Sequence, residues 1–313
     1  MINTSNTLNL LPFIQLFESK NIPWQEHAAR HDIPSTAIDT PSWVPSYKVF
    51  AFLSSMSALT GLNIGAHAGT LSSIDKLFPH LLDKVSTFEE AIAKLISAMT
   101  QISSHVTVWT QKIDGVWFLC YRSAYSSDSI GFEQTEWFRC FAFIEFCKRY
   151  LGQQWQPNNI HVQLDHIHPD LPKGYTKQQI VLNEQFGAIE IELTKDFEVL
   201  NNTQQSSDWF STVIKLVDSY AHLPWFNIDW FCQLIGVSTR TMQRQLHKNN
   251  TSFLTLRNNA RYRRACHSLR NSTLSIEEIA YLCGYNDISN FNRAFKRWSG
   301  QTAPEYRRYR TKP

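Results

Sequence analysis

Little in this chain points to catalysis, metal binding or a membrane. No P-loop, GxGxxG, GxSxG or HExxH motif occurs, so no enzyme motif supports a catalytic reading, and the expectation is a non-enzyme. Cysteine is sparse: Cys120, Cys140, Cys147, Cys232, Cys266 and Cys283 form no CxxC and match no zinc spacing. They read as small core residues; Cys140 and Cys147, two turns apart on a predicted helix, are the pair that a redox role would use. The apolar runs stay far short of the roughly 18 residues that a membrane helix needs, so no membrane partner is expected. The opening MINTSNTLNLLPF has neither a basic segment nor a small-residue cleavage site, so a cytoplasmic location is expected. Metal ligands are also hard to find. The segment HVQLDHIHPD carries His161, Asp165, His166 and His168, but Pro169 and Pro172 indicate a loop rather than a strand that would make them converge. These histidines read as surface or loop anchors, His67 and His105 stand alone, and neither metal nor cofactor is expected.

The chain does contain a split in charge. At 313 residues with 43% hydrophobic, it is long enough for about two domains of roughly 100–200 residues, each with its own core. The net charge of +3 conceals an asymmetry. Residues 209–313 carry 16 Lys and Arg against 6 Asp and Glu, a balance of +10; residues 1–208 carry 14 against 21, a balance of −7. A basic part tied to an acidic part suggests that the basic part meets a polyanion. The boundary falls at NNTQQSSD, residues 201–208, which has no apolar residue and reads as a linker between domains at 1–200 and 209–313.

The N-terminal part mixes helices and strands. Leu10–Glu18 has helical spacing, and Pro45 is suited to open a helix that ends at Gly61. Thr87 and Glu90 have capping-box spacing. HVTVWTQKIDGVWFLCYR alternates on both sides of Asp114-Gly115, the signature of a hairpin with a type I′ turn. A helix is predicted over Glu136–Leu151, and strands over Ile160–Leu164 and Gly187–Leu193, which together imply an α+β domain. The cluster Trp137, Phe138, Phe141, Phe143, Ile144 and Phe146 admits two readings: a helix buried against the sheet, or the wall of an apolar ligand cavity.

The C-terminal part reads as all-α. It contains two units of the same layout, a short helix, a glycine turn, a polar cap and a second helix, at 228–249 and 276–298. In the first, Met242 and Leu246 face the core, which leaves Arg240, Gln243, Arg244 and His247 outside. In the second, Ile288, Phe291 and Phe295 are expected inside, with Ser289, Asn290, Asn292, Arg293 and Lys296 outside. Arg can bond guanine bidentately and Asn or Gln adenine, while Lys and Thr suit phosphates. The caps Ser238 and Asp287 are 49 residues apart. A connecting helix of about 20 residues is roughly 30 Å long at about 1.5 Å per residue. Adjacent major grooves on one face of DNA lie about 34 Å apart, so one chain can fill two of them. Arg257, Arg261, Arg263 and Arg264 on that helix are expected to add positive charge near the DNA backbone.

Residues 209–310 resemble the DNA-binding domain of AraC/XylS-type bacterial transcription regulators. The resemblance rests on GVSTRTMQRQL, on R-x-x-x-A within ARYRRACHSLRN, and on SIEEIAYLCGYNDISNFNRAFKRWSGQTAPEYR. It implies that Thr239, Arg240, Gln243 and Arg244 sit on the first groove-entering helix, and Ser289, Asn290, Asn292, Arg293 and Lys296 on the second. Phe231-Cys232 stands where Val-Ala is usual, Asn250 where Gly is common, and Ala303 where Ser is more usual. The N-terminal part resembles, less sharply, the arabinose-binding-like regulatory domain of the ornithine-utilisation-regulator branch. That likeness rests on IDTPSWVPSYKVFAFLSSMSALTGLNIGAHAG, TFEEAIAKL and Phe186-Gly187. A DNA-repair methyltransferase fused to such a domain needs a cysteine zinc cluster, which residues 1–208 lack. The expectation is therefore a bacterial regulator that binds double-stranded promoter or operator DNA. Its N-terminal domain either senses a small-molecule effector or serves as a dimerisation or protein-interaction module. RNA polymerase and a second copy of the chain are the further partners implied.

Overall fold

The computed structural model describes residues 2–34, 41–71, 85–194, 197, 200 and 208–310. They form two compact units, one within residues 3–206 and one within 207–313 together with Ile2. The linker expected at 201–208 lies outside the described residues except for Asp208.

The N-terminal unit is α+β. In chain order it runs β1 (Thr4–Asn6), α1 (Leu11–Ser19), α2 (Gln25–Arg30), β2 (Trp43–Pro45), α3 (Ser46–Thr60), α4 (Ile64–Thr70) and α5 (Phe88–Ala98). Then follow β3 (Val106–Ile113), β4 (Val116–Ser123), α6 (Phe132–Leu151), β5 (Ile160–His161), β6 (Ile180–Val181) and β7 (Gly187–Ile191). Pro45 ends a strand paired with Thr4, and the helix opens one residue later. Thr87 caps α5 by accepting from the Glu90 amide at 3.2 Å, but the Glu90 carboxylate bonds the Ser86 amide instead of the Thr87 amide. The reciprocal half of the expected capping box is therefore shifted by one residue.

The hairpin forms as its turn residues require. Asp114 and Gly115 both take positive φ, 48° and 86°, and Ile113 pairs with Val116. β3 and β4 open a five-stranded sheet of order β3-β4-β7-β5-β6. Its pairs are antiparallel except β5–β6, which run parallel. The strand expected over Ile160–Leu164 shortens to Ile160–His161, because past His161 the chain meets its neighbour through isolated bonds such as Val162 N–H to Val181 O. α6 begins four residues earlier than expected and is buried along much of its length, including Trp137, Phe141 and Ile144 at 0% exposure. Cys140 and Cys147 lie inside it, and burial pushes both thiols up, away from the thiolate that redox chemistry uses. His67 and His168 anchor a loop: His67 Nε2 lies 2.9 Å from Asp170 Oδ2, and His168 Nδ1 accepts the Asp170 amide at 3.1 Å.

Every regular element described in the C-terminal unit is a helix: α7 (Trp209–Tyr220), α8 (Ile228–Ile235), α9 (Thr239–Lys248), α10 (Phe253–Asn271), α11 (Ile276–Leu282), α12 (Ile288–Ser299) and α13 (Ala303–Arg310). Two cores share α10. Phe226, Phe231 and Phe253 stack with centroids 5.2–5.6 Å apart, so the bulky Phe231 is absorbed by an aromatic cluster. Around α11–α13, Leu269, Ile279, Phe291, Phe295 and Tyr306 form the second core. Among the described residues no single helix is long and apolar enough to cross a membrane.

Candidate nucleic-acid interface

Local chemistry sets the start of each outward helix. Ser238 Oγ accepts the Thr241 amide at 3.1 Å and Asp287 Oδ1 the Asn290 amide at 2.7 Å, so α9 and α12 both begin at side-chain caps. Ser275 and Glu278 close a reciprocal capping box on α11. Both turns bend at a left-handed glycine, Gly236 at φ 70° and Gly284 at φ 79°. Gly284 is constrained twice, because a Cβ there would stand 2.7 Å from the His222 carbonyl oxygen. Asn250 takes φ 52°, so it reaches the left-handed conformation that glycine would supply at the same place.

On α9, Met242 and Leu246 are buried, and Arg240, Gln243 and Arg244 are exposed on the opposite face. Thr239 is half-buried, and its hydroxyl donates to Asp229 Oδ1 at 3.0 Å. It therefore ties the two helices of the first unit together. On α12, Phe291 and Phe295 are buried, and Ser289, Asn290, Arg293 and Lys296 are exposed. Two expectations fail here. Ile288, expected inside, is 37% exposed, because it is the first residue of the helix and lies at the rim of the core. Asn292, expected outside, is half-buried, and its Oδ1 is buried without a hydrogen-bond partner among the described residues.

The connecting helix also differs from expectation. Arg261 is only 7% exposed; its Nε donates to Ala221 O at 2.8 Å and its Nη2 to Leu223 O at 3.2 Å. Its guanidinium stacks 5.0 Å from the Tyr285 ring centroid. It caps the carbonyl end of α7 and is not presented outward. Arg263 pairs with Asp218. Arg257 lines an open groove between α10 and α12, together with Asn290, Arg293 and Arg297, and Arg261 lies at its floor. The sequence places Arg257 on the connecting helix; the only sequence signal for Arg297 is its last-turn position on α12. Among the described residues Asp287 is the one acidic residue lining that groove, and the Asn290 amide holds its carboxyl below the usual range.

The geometry is that of two helix-turn-helix units, each exposing polar and basic side chains on its second helix, joined by one 19-residue helix. Residues 231–309 match a family model described as a helix-turn-helix domain. The C-terminal unit is a tandem helix-turn-helix DNA-binding domain. It is of the AraC type, as the named relatives and its own motifs agree. The chain is 39% identical over 73 residues to the ornithine utilization regulator of Pseudomonas aeruginosa, covering 23% of this chain and 22% of that one. It is 28% identical over 141 residues to the transcriptional activator RhaS of Yersinia pestis, covering 44% of this chain and 50% of the relative. Among solved structures, the transcriptional regulator CdpR from Pseudomonas aeruginosa aligns over 96% of this chain and 98% of its own, at 16% identity and a TM-score of 0.39. The chain thus spans half or less of the length of these curated relatives.

Proposed function

We propose that the protein is a bacterial transcription regulator that reads a specific double-stranded promoter site with α9 and α12. The observation that carries this is the pair of exposed polar faces on one chain. α10 between them is about 28 Å long at about 1.5 Å per residue, comparable to the roughly 34 Å between adjacent major grooves. Arg240, Gln243 and Arg244 would face bases in one groove, and Ser289, Asn290 and Arg293 in the next, with Lys296 at phosphates. Thr239 and Asn292 act from within the domain, shaping the helices that carry the others. Contact with RNA polymerase, self-association and a cytoplasmic location belong to the same reading, and no catalytic step does.

The reading extends to the N-terminal unit, which we assign to sensing a small molecule. A largely apolar cavity inside it favours this over a pure interaction module. Of the six residues in the aromatic cluster, Phe138, Phe143 and Phe146 line that cavity, while Trp137, Phe141 and Ile144 are core.

To test the first part, the full-length protein is incubated with fragmented genomic DNA, and the retained fragments are sequenced. A shared site of about two helical turns supports the reading; retention without a shared site makes the basic unit an electrostatic anchor. Sensing is tested by thermal melting against a metabolite panel. A ligand at about 100 times its Kd adds about 2.7 kcal/mol.

A further inference from the structure

The groove between α10 and α12 is built from two facing stripes. Arg257 and Arg261 are four positions apart on α10, and Arg293 and Arg297 are four apart on α12, so each pair lies along one side of its helix. Four guanidiniums therefore meet one acidic side chain, that of Asp287, among the described residues of the lining.

These charges are not equally engaged. Arg261 is buried at the floor, and its Nε and Nη2 already donate to Ala221 O and Leu223 O. Arg293 donates to Asn290 Oδ1, and Asp287 accepts from both the backbone and the side-chain amide of Asn290. Arg257 and Arg297 are left over. Arg257 is half-buried, and its bond from Nη1 to Phe226 O is long at 3.5 Å. Arg297 is exposed and has no ion-pair partner among the described residues. Burial, then the charge of Arg257, holds the Arg261 guanidinium below its ordinary value, so the groove opposes more positive charge and favours an anion.

The helical turn says which anion. Around α12, Arg297 falls between the exposed Arg293 and the buried Ala294, which also lines the groove. Lys296, one residue earlier, is turned about 100° away from Arg297. When a helix lies in a major groove, its central stripe meets base edges and its flanks meet the backbone that walls the groove. Arg297 is on the flank nearest α10, where Arg257 faces it from the other side.

We propose that this groove seats the DNA backbone beside the major groove entered by α12, with Arg297 from α12 and Arg257 from α10 each neutralising a phosphate. This rests on the DNA-reading role proposed above for α12. Arg293 is left free for bases, and the two phosphate contacts fix how far α12 is rotated and inserted.

The full-length protein is bound to the site selected above, and log affinity is followed against log salt concentration. Arg257→Gln and Arg297→Gln should each lower the slope by about 0.9, the share of one phosphate, and should weaken the site and its single-base variants by the same factor. Arg308→Gln removes the same charge from an exposed position on α13 outside the groove and should leave the slope unchanged. A neutral methylphosphonate linkage is then placed at each position of the site in turn. One position should cost the unaltered protein affinity but cost Arg297→Gln nothing. Unchanged slopes, or the lack of such a position, overturn the inference and leave the regulator reading intact. A preference altered at one base pair makes the substituted arginine a base contact and also overturns it. Inorganic phosphate that displaces DNA at constant ionic strength from the unaltered protein, but not from Arg297→Gln, assigns the groove to a free anion with the same result. If no shared site is selected, sequence reading falls, and the slopes on mixed-sequence DNA decide the backbone contact alone. Should Arg257→Gln fail to fold, Arg297→Gln, whose side chain is exposed, still decides.

Discussion

Arg293 and Asn290 are joined side chain to side chain on the exposed face of α12: Arg293 Nη2 donates to Asn290 Oδ1 at 2.6 Å, and the Asn290 amide group donates in turn to Asp287. The residue that caps the helix therefore also aims, through one intermediate, the arginine that faces the groove. If Arg293 reads a base pair as proposed, Asn290→Ala should cost roughly 1–3 kcal/mol of discrimination there. Combined with Arg293→Ala it should add little, because the two act as one unit. Binding isotherms on the selected site and its single-base variants provide the double-mutant cycle, and strict additivity would break the proposed coupling.

Arg261 makes the opposite case. Its bonds to Ala221 O and Leu223 O lie inside the domain, so Arg261→Met should leave two carbonyls short of a donor. We expect a loss of about 3 kcal/mol in unfolding free energy. The salt dependence of DNA binding should stay the same, whereas a phosphate contact would lower its slope by about one. Urea unfolding and a salt titration separate the two.

The two turn glycines should differ in their tolerance of alanine. At Gly236 only the positive φ opposes a side chain, since nothing lies within 4 Å of the added Cβ, and about 1 kcal/mol is the expected cost. At Gly284 the same strain is joined by the approach of His222 O at 2.7 Å. Gly284→Ala should therefore destabilise by about 3 kcal/mol or more. Equal urea midpoints for the two variants would contradict this.

The N-terminal unit should lose stability as the solution is acidified. His105 has a folded value of about 3 against an ordinary 6.5, so between those values the unfolded chain binds the extra proton. Its contribution is complete above pH 6.5 and declines as pH falls towards 3. At pH 5 the loss is about 2 kcal/mol. His105→Gln should flatten that part of the stability profile, which melting curves at several pH values will show.

The readable features were short-range ones. Ser238, Ser275 and Asp287 bond amides three residues ahead, and Asp114-Gly115 bends its own chain, so residue type and spacing suffice to foresee them. The outward faces of α9 and α12 follow from where Met242, Leu246, Phe291 and Phe295 must point. The inward turn of Arg261 is not legible in sequence, because its acceptors lie 40 and 38 residues away and an arginine on a polar stretch looks the same whether it faces DNA or a carbonyl. The exposure of Ile288 is not legible either, because periodicity assigns a face but not the distance to the rim of the core.

The sequence by itself determined the tandem helix-turn-helix layout, the basic balance of the part that carries it, and the caps and turns, because each depends on residue identity or on contacts within a few positions. Tertiary structure alone decided which arginines remain outward, the strand order β3-β4-β7-β5-β6, and the largely apolar cavity inside the N-terminal unit. These depend on segments far apart in the chain meeting in space, where burial and partner geometry, rather than local propensity, set what a side chain does.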